Sequence, residues 1–252
     1  MQDFRPVGYV VGLMVTTLGV AMCLPMVVDM AEGVEHWLVF AKCAAITIGI
    51  GGLVAWVCSK GEHDRLTIQQ TFLLTSGVWV TLPFFAALPY MLGTTGLDAT
   101  DAIFEGMAGL TTTGATVLSG LDELPKGLLL WRGLTQWLGG IGIIVVAMVF
   151  LPELRVGGMQ IFRTESFDTA GKILPRATES SSRISVIYIS LTLVCAAAYL
   201  LAGMNVFDAT VHAMTTVATG GFANYDISFA AFSPVAQYVS AIFMMLDALP
   251  FV

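Results

Sequence analysis

The chain has 252 residues, of which 56% are hydrophobic and 12% are charged, and its mean hydropathy is +0.82. Soluble domains carry about 25% charged residues, so this composition excludes an ordinary soluble protein and predicts an all-α integral membrane protein. The net charge of −7 and the pI of 4.8 argue against nucleic acid as a partner.

Five apolar stretches are long enough to cross the ~30 Å hydrocarbon core of a bilayer as helices. They are residues 7–28, 37–58, 71–92, 128–151 and 184–202, and a sixth stretch begins at residue 234 and continues to the last residue. We expect Pro83 and Pro89 to bend or end the third stretch, because proline removes a helical hydrogen bond. The first two stretches form an N-terminal helix pair.

Two further segments, residues 98–110 and 207–217, are too short to cross. At about 1.5 Å per residue they reach only ~20 Å, so they are predicted to be half-helices that enter the membrane from outside. Each contains an acidic residue near its start, and Asp101 and Asp208 are the expected helix caps.

A run of threonine and glycine, Thr111-Thr112-Thr113-Gly114, follows the first half-helix. Non-helical backbone at membrane depth is tolerated only where protein buries it or where it lines a watery cavity. A selectivity filter meets that condition, because its backbone carbonyls replace the hydration shell of an ion. Gly114 is predicted to adopt a positive φ that turns carbonyls toward one axis. The alternative is an extracellular loop rich in threonine and glycine.

The half-helix and its turn recur later in the chain. Residues 101–107 read DAIFEGM and residues 208–214 read DATVHAM, and the same register aligns residues 109–115 with 216–222. A pore needs several such turns around one axis, so the repeat favours a filter over a loop. The predicted potassium ligands, mainly backbone carbonyls, are Thr111, Thr112, Thr113 and Gly114 in the first turn and Ala218, Thr219, Gly220 and Gly221 in the second.

The charge distribution predicts the orientation. Basic residues gather at the N-terminus, in the loop after residue 58 and in the polar stretch 152–183, which places these segments in the cytoplasm. The opposite side collects acids that either concentrate cations at a pore entrance or cap helices and solvate loops. These acids are Asp29, Glu32, Glu35, Asp98, Asp101, Glu105, Asp122, Glu123 and Asp226.

Four motifs together resemble the TrkH family of the Trk/Ktr/HKT superfamily. They are residues 110–116 (LTTTGAT), 124–127 (LPKG), 137–142 (WLGGIG) and 157–163 (GGMQIFR), and Thr219-Gly220-Gly221-Phe222 matches the second filter segment. The resemblance implies potassium uptake across the bacterial inner membrane through four membrane–pore-helix–membrane repeats with pseudo-fourfold symmetry. It also implies a homodimer on a cytoplasmic ring of TrkA, a nucleotide-binding regulator, so that a nucleotide would act only through that partner.

The sequence departs from the family pattern because it contains two repeats rather than four. It divides into the helix pair (1–66), a first pore repeat (67–152), a cytoplasmic linker (153–183) and a truncated second repeat (184–252). The missing repeats would supply half of the filter and the gating loop that the family places in the third repeat. Either the chain is a fragment, which its incomplete last span favours, or two short chains assemble one pore.

Some residues inside the predicted spans have two interpretations. Arg132 either pairs with Glu105 or Asp122 and braces the filter, or extends to the membrane interface. The glycines of residues 139–142 either hinge the helix or allow close helix packing. Asp247 is a candidate for ion entry on the inner side. The linker at residues 154–183 is either a solvated loop or the docking surface for the TrkA ring.

Two other classes of function share some of these sequence features. A secondary transporter with a midplane site between broken helices also contains Thr/Gly breaks, but its repeats usually contain whole broken spans rather than half-helices between spans. An intramembrane enzyme needs a paired nucleophile and base or a metal cluster. His212 and Asp247 do not form such a pair, and the cysteines and histidines show no metal-ligand spacing.

Overall fold

The computed structural model describes residues 3–59, 67–150 and 173–248, and the described parts contain helices and turns but no strands. This confirms the predicted all-α class. The helices are α1 (Arg5–Ala21), α2 (Cys23–Ala31), α3 (Trp37–Cys58), α4 (Ile68–Ala86), α5 (Leu88–Leu92), α6 (Ala99–Leu110), α7 (Lys126–Phe150), α8 (Ile173–Leu201), α9 (Val206–Val217) and α10 (Pro234–Asp247).

Four helical segments of the described chain are long and apolar enough to cross a membrane: Arg5–Ala31, Trp37–Cys58, Gln69–Leu92 and Ile184–Leu201. Helix α7 has 25 residues, and at about 1.5 Å per residue its length of ~37 Å also exceeds the hydrocarbon core. Helices α6 and α9 have 12 residues each, or about 18 Å. Their lengths confirm the two short segments predicted from the sequence.

The first predicted span is interrupted at Met22, where α1 ends and α2 begins. Pro25 explains the break. It has no N–H to donate to the carbonyl of Ala21, four residues earlier, and its ring crowds that carbonyl. The break lies within a single candidate span, Arg5–Ala31, so the predicted span over residues 7–28 is confirmed and contains a local interruption. A similar interruption between α4 and α5 follows Pro83, and Pro89 lies in the first turn of the new helix.

Glycines bring α1 and α3 into close contact. A Cβ on Gly12 would lie 2.6 Å from the backbone nitrogen of Ala55, and a Cβ on Gly51 would lie 2.7 Å from that of Thr16. Such distances are shorter than a carbon atom tolerates, so only glycine fits at these positions. Helix α1 also packs along α4, which joins the N-terminal pair to the first repeat.

The N-terminal pair is joined to α7 through Asp29. Its buried carboxylate accepts a hydrogen bond of 2.6 Å from the backbone N–H of Gly127 and lies 2.8 Å from Nδ1 of His36. Gly127 is in the first turn of α7, where unpaired N–H groups favour an anion. The carboxylate of Asp29 therefore caps a helix that begins about a hundred residues later.

The helix caps of α6 and α9 differ from the prediction. The side chain of Asp98 accepts from the N–H of Asp101 at 2.8 Å, and that of Asn205 accepts from the N–H of Asp208 at 2.9 Å. Asp101 and Asp208 are thus the donors in these bonds. Asp101 and Asp208 are the acidic residues that the two repeats share in the sequence, which is why they were predicted as caps. The cap instead requires a side-chain oxygen on the residue immediately before the helix.

Helix α7 lies between the two short helices and packs against both α6 and α9. The indole nitrogen of Trp131 donates to the carbonyl of Ala86 at 3.0 Å, at the break between α4 and α5. Helix α8 packs on α9, and its backbone begins at Ile173, earlier than the predicted residue 184. Residues 151–172, which hold most of the predicted cytoplasmic linker, lie outside the described residues.

Candidate functional site

The turns that follow α6 and α9 have the same backbone structure. Thr112 and Thr219 have φ angles of 55° and 52°, and Gly114 and Gly221 have φ angles of 73° and 77°. Each of these pairs is separated by the same number of residues as Asp98 and Asn205, the two helix caps. The repeat register read from the sequence is therefore correct at the level of individual backbone angles, and the predicted positive φ of Gly114 is confirmed.

The hydrogen bonds of the two turns match as well. In the first turn, Thr113 N–H donates to Ala108 O at 3.0 Å, and in the second, Gly220 N–H donates to Thr215 O at 2.9 Å. Each bond reaches back five residues, over a residue in the left-handed conformation, as in a Schellman helix ending.

Threonine is a poor choice for the left-handed position of these turns. A β-branched residue with positive φ is an outlier, and strain of this kind persists only where the surroundings determine it. The same strained residue occurs in both turns. Its recurrence marks both turns as functional candidates.

The backbone carbonyls of the two turns are available for a ligand. The N–H groups bond back to the preceding helix, whereas no donor within the described parts of the chain reaches the carbonyl oxygens of residues 111–114 or 218–221. All eight predicted site residues lie in these two turns. Free carbonyls at the negative ends of two short helices form an environment that favours a cation.

The two turns are in contact. A Cβ on Gly114 would overlap the carbonyl oxygen of Gly220 and would lie 3.7 Å from Nε2 of Gln136. The structure therefore brings Gly114 of the first turn directly against Gly220 of the second. This contact joins the two repeats at their turns, and the filter remains a prediction.

Gln136 of α7 lies behind both turns and was not identified from the sequence. Its Oε1 accepts the backbone N–H of Phe222 at 3.0 Å, and a Cβ on Gly220 would lie 2.4–2.6 Å from its amide atoms. The side chain is completely buried. Gln136 therefore holds the backbone of the second turn through the N–H of Phe222.

Arg132, one turn earlier on α7, forms a buried ion pair with Glu105 of α6. Its Nε lies 3.0 Å from Glu105 Oε1, and the two residues are 1% and 0% exposed. This exposure excludes extension to the interface and identifies Glu105, rather than Asp122, as the partner. Glu105 also accepts from the N–H of Val117 at 3.1 Å and from the hydroxyl of Thr116.

The guanidinium of Arg132 also reaches the second repeat. Its Nη1 donates to the carbonyl of Ala223 at 2.7 Å, its Nη2 donates to Thr116 Oγ1 at 3.1 Å, and its Cζ lies 4.2 Å from the centre of the Phe222 ring. One cation thus holds the segments that leave both turns. Arg132 and Glu105 therefore stabilise the candidate site by joining the first repeat to the second.

Asp208 holds the segment that leaves the second turn. Its two carboxylate oxygens accept from Asn224 Nδ2 and from the hydroxyl of Tyr225, each at 2.8 Å. Hydrogen bonding to Asp208 raises the pKa of Tyr225 to about 12, so the phenol keeps its proton near neutral pH and remains a donor.

The predicted acidic entrance is not a set of free carboxylates. Asp29 and Glu105 are buried and paired, and Asp226 accepts from the N–H groups of Gly120 and Leu121 at 2.8 and 3.0 Å. For Asp29 and Glu105 the expectation that they attract ions at the surface is wrong, because each is buried and paired within the protein. Solvent reaches the other acids of that set, for which both roles stay predictions: Glu32, Glu35, Asp98, Asp101, Asp122, Glu123 and Asp226.

Two of the three glycines in residues 139–142 of α7 serve close packing, whereas a Cβ built on the third, Gly142, has no atom within 4 Å. A Cβ on Gly139 would overlap the carbonyl oxygen of Leu110 at the end of α6, and one on Gly140 would lie 2.5 Å from the Tyr188 hydroxyl and 3.3 Å from the Ala218 Cβ. These contacts favour packing over a hinge. Asp247 ends α10, and its Oδ1 is buried with no partner among the described residues, so its role in ion entry stays a prediction.

Comparison with known proteins places this geometry in context. The model of the TrkH family, described as "Cation transport protein", matches residues 36–252. The chain is 42% identical over 254 residues to the Trk system potassium uptake protein TrkI of Halomonas elongata, covering 100% of this chain and 51% of the relative. It is 38% identical over 250 residues to TrkH of Escherichia coli K12, with coverage of 98% and 52%.

A solved structure agrees with the fold. The crystal structure of the potassium transporter TrkH from Vibrio parahaemolyticus superposes with a TM-score of 0.87 at 34% sequence identity, over 99% of this chain and 51% of that one. The chain therefore spans about half the length of the relatives that it matches.

Proposed function

Because this chain belongs to the TrkH family of cation transport proteins, we propose that it forms part of a potassium-uptake protein of the bacterial inner membrane. The names of its relatives support potassium as the ion and a Trk system as the setting. Since the chain spans about half of those relatives, the activity belongs to a complete pore of which this chain supplies two repeats.

The observation that carries this proposal is the pair of equivalent turns whose carbonyls have no donor within the described chain and which meet at Gly114 and Gly220. A potassium ion gives up its hydration shell only where oxygens replace the water. In the proposed filter those oxygens are the carbonyls of residues 111–114 and 218–221. The chemistry is selective dehydration, without a covalent step.

The half-length of α6 and α9 favours this pore over a transporter with broken spans. A transporter of that kind interrupts a complete span near its middle, whereas α6 and α9 are separate 12-residue helices between longer ones. Their C-terminal ends carry the partial negative charge of the helix dipole. Both ends lead directly into the proposed filter.

The remaining features of the proposed system follow the family. Two further repeats complete a pseudo-fourfold pore, the N-terminus lies in the cytoplasm, and the complete subunits form a homodimer on a TrkA-like ring that binds the regulatory nucleotide. The basic linker at residues 154–183 is the proposed docking surface for that ring. Removal of residues 157–163 from the complete protein should abolish ring binding, and unchanged binding would eliminate this surface.

Uptake by whole cells tests the function. The complete protein is expressed in a bacterial host that lacks its own potassium uptake, and growth is measured at low potassium. We expect growth to be restored and rubidium tracer uptake to be inhibited by unlabelled potassium far more than by sodium. Growth that stays dependent on high potassium despite normal membrane levels would contradict the proposal, as would equal competition by sodium.

A further inference from the structure

His212 of α9 and Glu105 of α6 occupy equivalent positions in the two repeats. The register that aligns Asp98 with Asn205 also aligns these two residues. Both side chains are completely buried, at 0% exposure. Histidine and glutamate are chemically different residues, but a neutral imidazole and a carboxylate can each accept a hydrogen bond.

The two side chains accept the same backbone hydrogen bond. Glu105 Oε2 accepts from the N–H of Val117 at 3.1 Å, and His212 Nε2 accepts from the N–H of Asn224 at 3.3 Å. Val117 and Asn224 are themselves equivalent, each lying three residues after the positive-φ glycine of its turn. Each short helix therefore holds the chain that leaves its own turn.

His212 performs this role as a neutral ring. Its Nδ1 lies 2.8 Å from the carbonyl oxygen of Asp208, and because a carbonyl can only accept, Nδ1 carries the proton and Nε2 remains an acceptor. The rings of Phe229 and Phe232 pack edgewise on the imidazole at 5.2 and 4.8 Å. The charged side chains that act on it are Asp208 and Arg132.

The peptide group between Ala223 and Asn224 is held at both ends. Its carbonyl accepts from Nη1 of Arg132 at 2.7 Å, and its N–H donates to His212. Arg132 extends from α7 of the first repeat and His212 from α9 of the second. This peptide directly follows Gly221 and Phe222, so its orientation determines how the chain leaves the second turn.

We propose that His212 is a positioning residue for ion selection, which fixes the second filter turn as Glu105 fixes the first. This inference rests on the proposed function, because it presupposes that the carbonyls of residues 218–221 contact the ion. His212 does not touch the ion itself. It acts through the backbone N–H of Asn224, and only a side chain with an acceptor at the position of Nε2 can replace it.

Two polar substitutions of His212 separate this role from simple packing. The amide of glutamine places its oxygen near the position of Nε2, whereas that of asparagine reaches only the position of Nδ1. In the complete protein, we expect His212→Gln to keep the ratio of potassium to sodium uptake within about twofold of the wild type, and His212→Asn to lower it about tenfold. His212→Phe, which keeps an aromatic ring without an acceptor, should behave like His212→Asn.

The comparison is made at equal amounts of protein in the membrane, measured by immunoblotting. Selectivity of His212→Asn and His212→Phe equal to that of the wild type would overturn the inference. So would a loss in His212→Gln as large as in His212→Asn, because the acceptor would then be irrelevant.

The variant Gly114→Val distinguishes failure of this inference from failure of the filter. If Gly114→Val also leaves selectivity unchanged, the carbonyl filter itself is wrong. If Gly114→Val loses selectivity while His212→Asn keeps it, the filter stands and only the role of His212 is refuted.

Discussion

Gly114 and Gly220 belong to different repeats, yet the carbonyl oxygen of Gly220 occupies the space that a Cβ on Gly114 would need. Gly114 also has a φ of 73°, a conformation that L-residues avoid. Two independent constraints therefore require glycine at one position. Both arise from the fold of the proposed filter, and they can be separated by experiment.

The substitution Gly114→Val tests the contact between the turns. The added side chain meets the Gly220 carbonyl and forces one or both turns to move, so the free carbonyls lose their arrangement. We expect the ratio of potassium to sodium uptake in the complete protein to fall by about tenfold or more, equivalent to about 1.4 kcal/mol of discrimination. Tracer uptake with competing sodium measures it.

Gly120→Val is the matched control for Gly114→Val. Gly120 has nearly the same φ, 71°, but no atom lies within 4 Å of a Cβ built there. Both variants carry the cost of a left-handed L-residue, about 1–2 kcal/mol, and only one carries the clash. Equal selectivity in the two variants would mean that backbone strain, rather than contact between the turns, explains any effect.

The ion pair between Arg132 and Glu105 is predicted to contribute strongly to stability. Arg132→Met removes the cation and leaves a carboxylate at 0% exposure without its partner. Breaking a buried pair in this way costs about 3–5 kcal/mol. We expect a large decrease in thermal stability of the detergent-solubilised protein, partly restored when Glu105→Gln is added.

The surface pair of Lys126 and Glu32 is the control for that experiment. Its N–O distance of 2.9 Å is similar, but its side chains are 47% and 44% exposed, and exposed pairs contribute about 0–1 kcal/mol. Lys126→Met should therefore change thermal stability little. A larger loss from Lys126→Met than from Arg132→Met would contradict the importance given to burial.

Much of the fold could be predicted from the sequence, because hydrophobicity and length decide which segments cross the membrane. The bounds of α3 agree with the predicted residues 37–58, and α6 and α9 start or end within a residue of their predicted positions. The repeat register was also predictable, since it rests on matching residues. It extends to the φ angles of Thr112 and Thr219.

Apart from the pairing of Arg132 with Glu105, which was one of the alternatives drawn from the sequence, the contacts between elements could not be predicted in the same way. Gln136 looks like an ordinary polar residue in a span, and nothing local shows that its amide meets the N–H of Phe222. In the sequence, Asp29 resembles an ordinary acidic residue of a loop. Only the structure shows that its carboxylate accepts from the N–H of Gly127 at the start of α7. For His212 a signal existed, because the repeat aligns it with Glu105, but their shared function as acceptors appears only in three dimensions.

Gln136→Leu tests whether the support behind the turns matters for selection. Leucine has a similar size but no acceptor, so the buried N–H of Phe222 loses its partner, at a cost of about 1–3 kcal/mol. We expect lower thermal stability and a lower ratio of potassium to sodium uptake. Gln237→Leu is the control, because Gln237 is exposed and its hydrogen bond to Phe232 O lies on the surface. Unchanged selectivity in Gln136→Leu would remove Gln136 from the filter's support.

Asp29→Leu tests whether the N-terminal pair stabilises the first repeat without taking part in ion selection. The substitution leaves two buried groups without an acceptor, the N–H of Gly127 and Nδ1 of His36, and each unpaired group costs about 1–3 kcal/mol. Thermal stability should therefore fall clearly, while Asp29→Asn, which keeps one acceptor oxygen, should lose less. The exposed Glu35 provides the control variant Glu35→Gln, for which we expect no change.

Because Asp29 contacts neither turn, the ratio of potassium to sodium uptake by the protein that remains folded should equal that of the wild type. A change in that ratio would show that the N-terminal pair influences the filter, and the separation between support and selection would then be wrong.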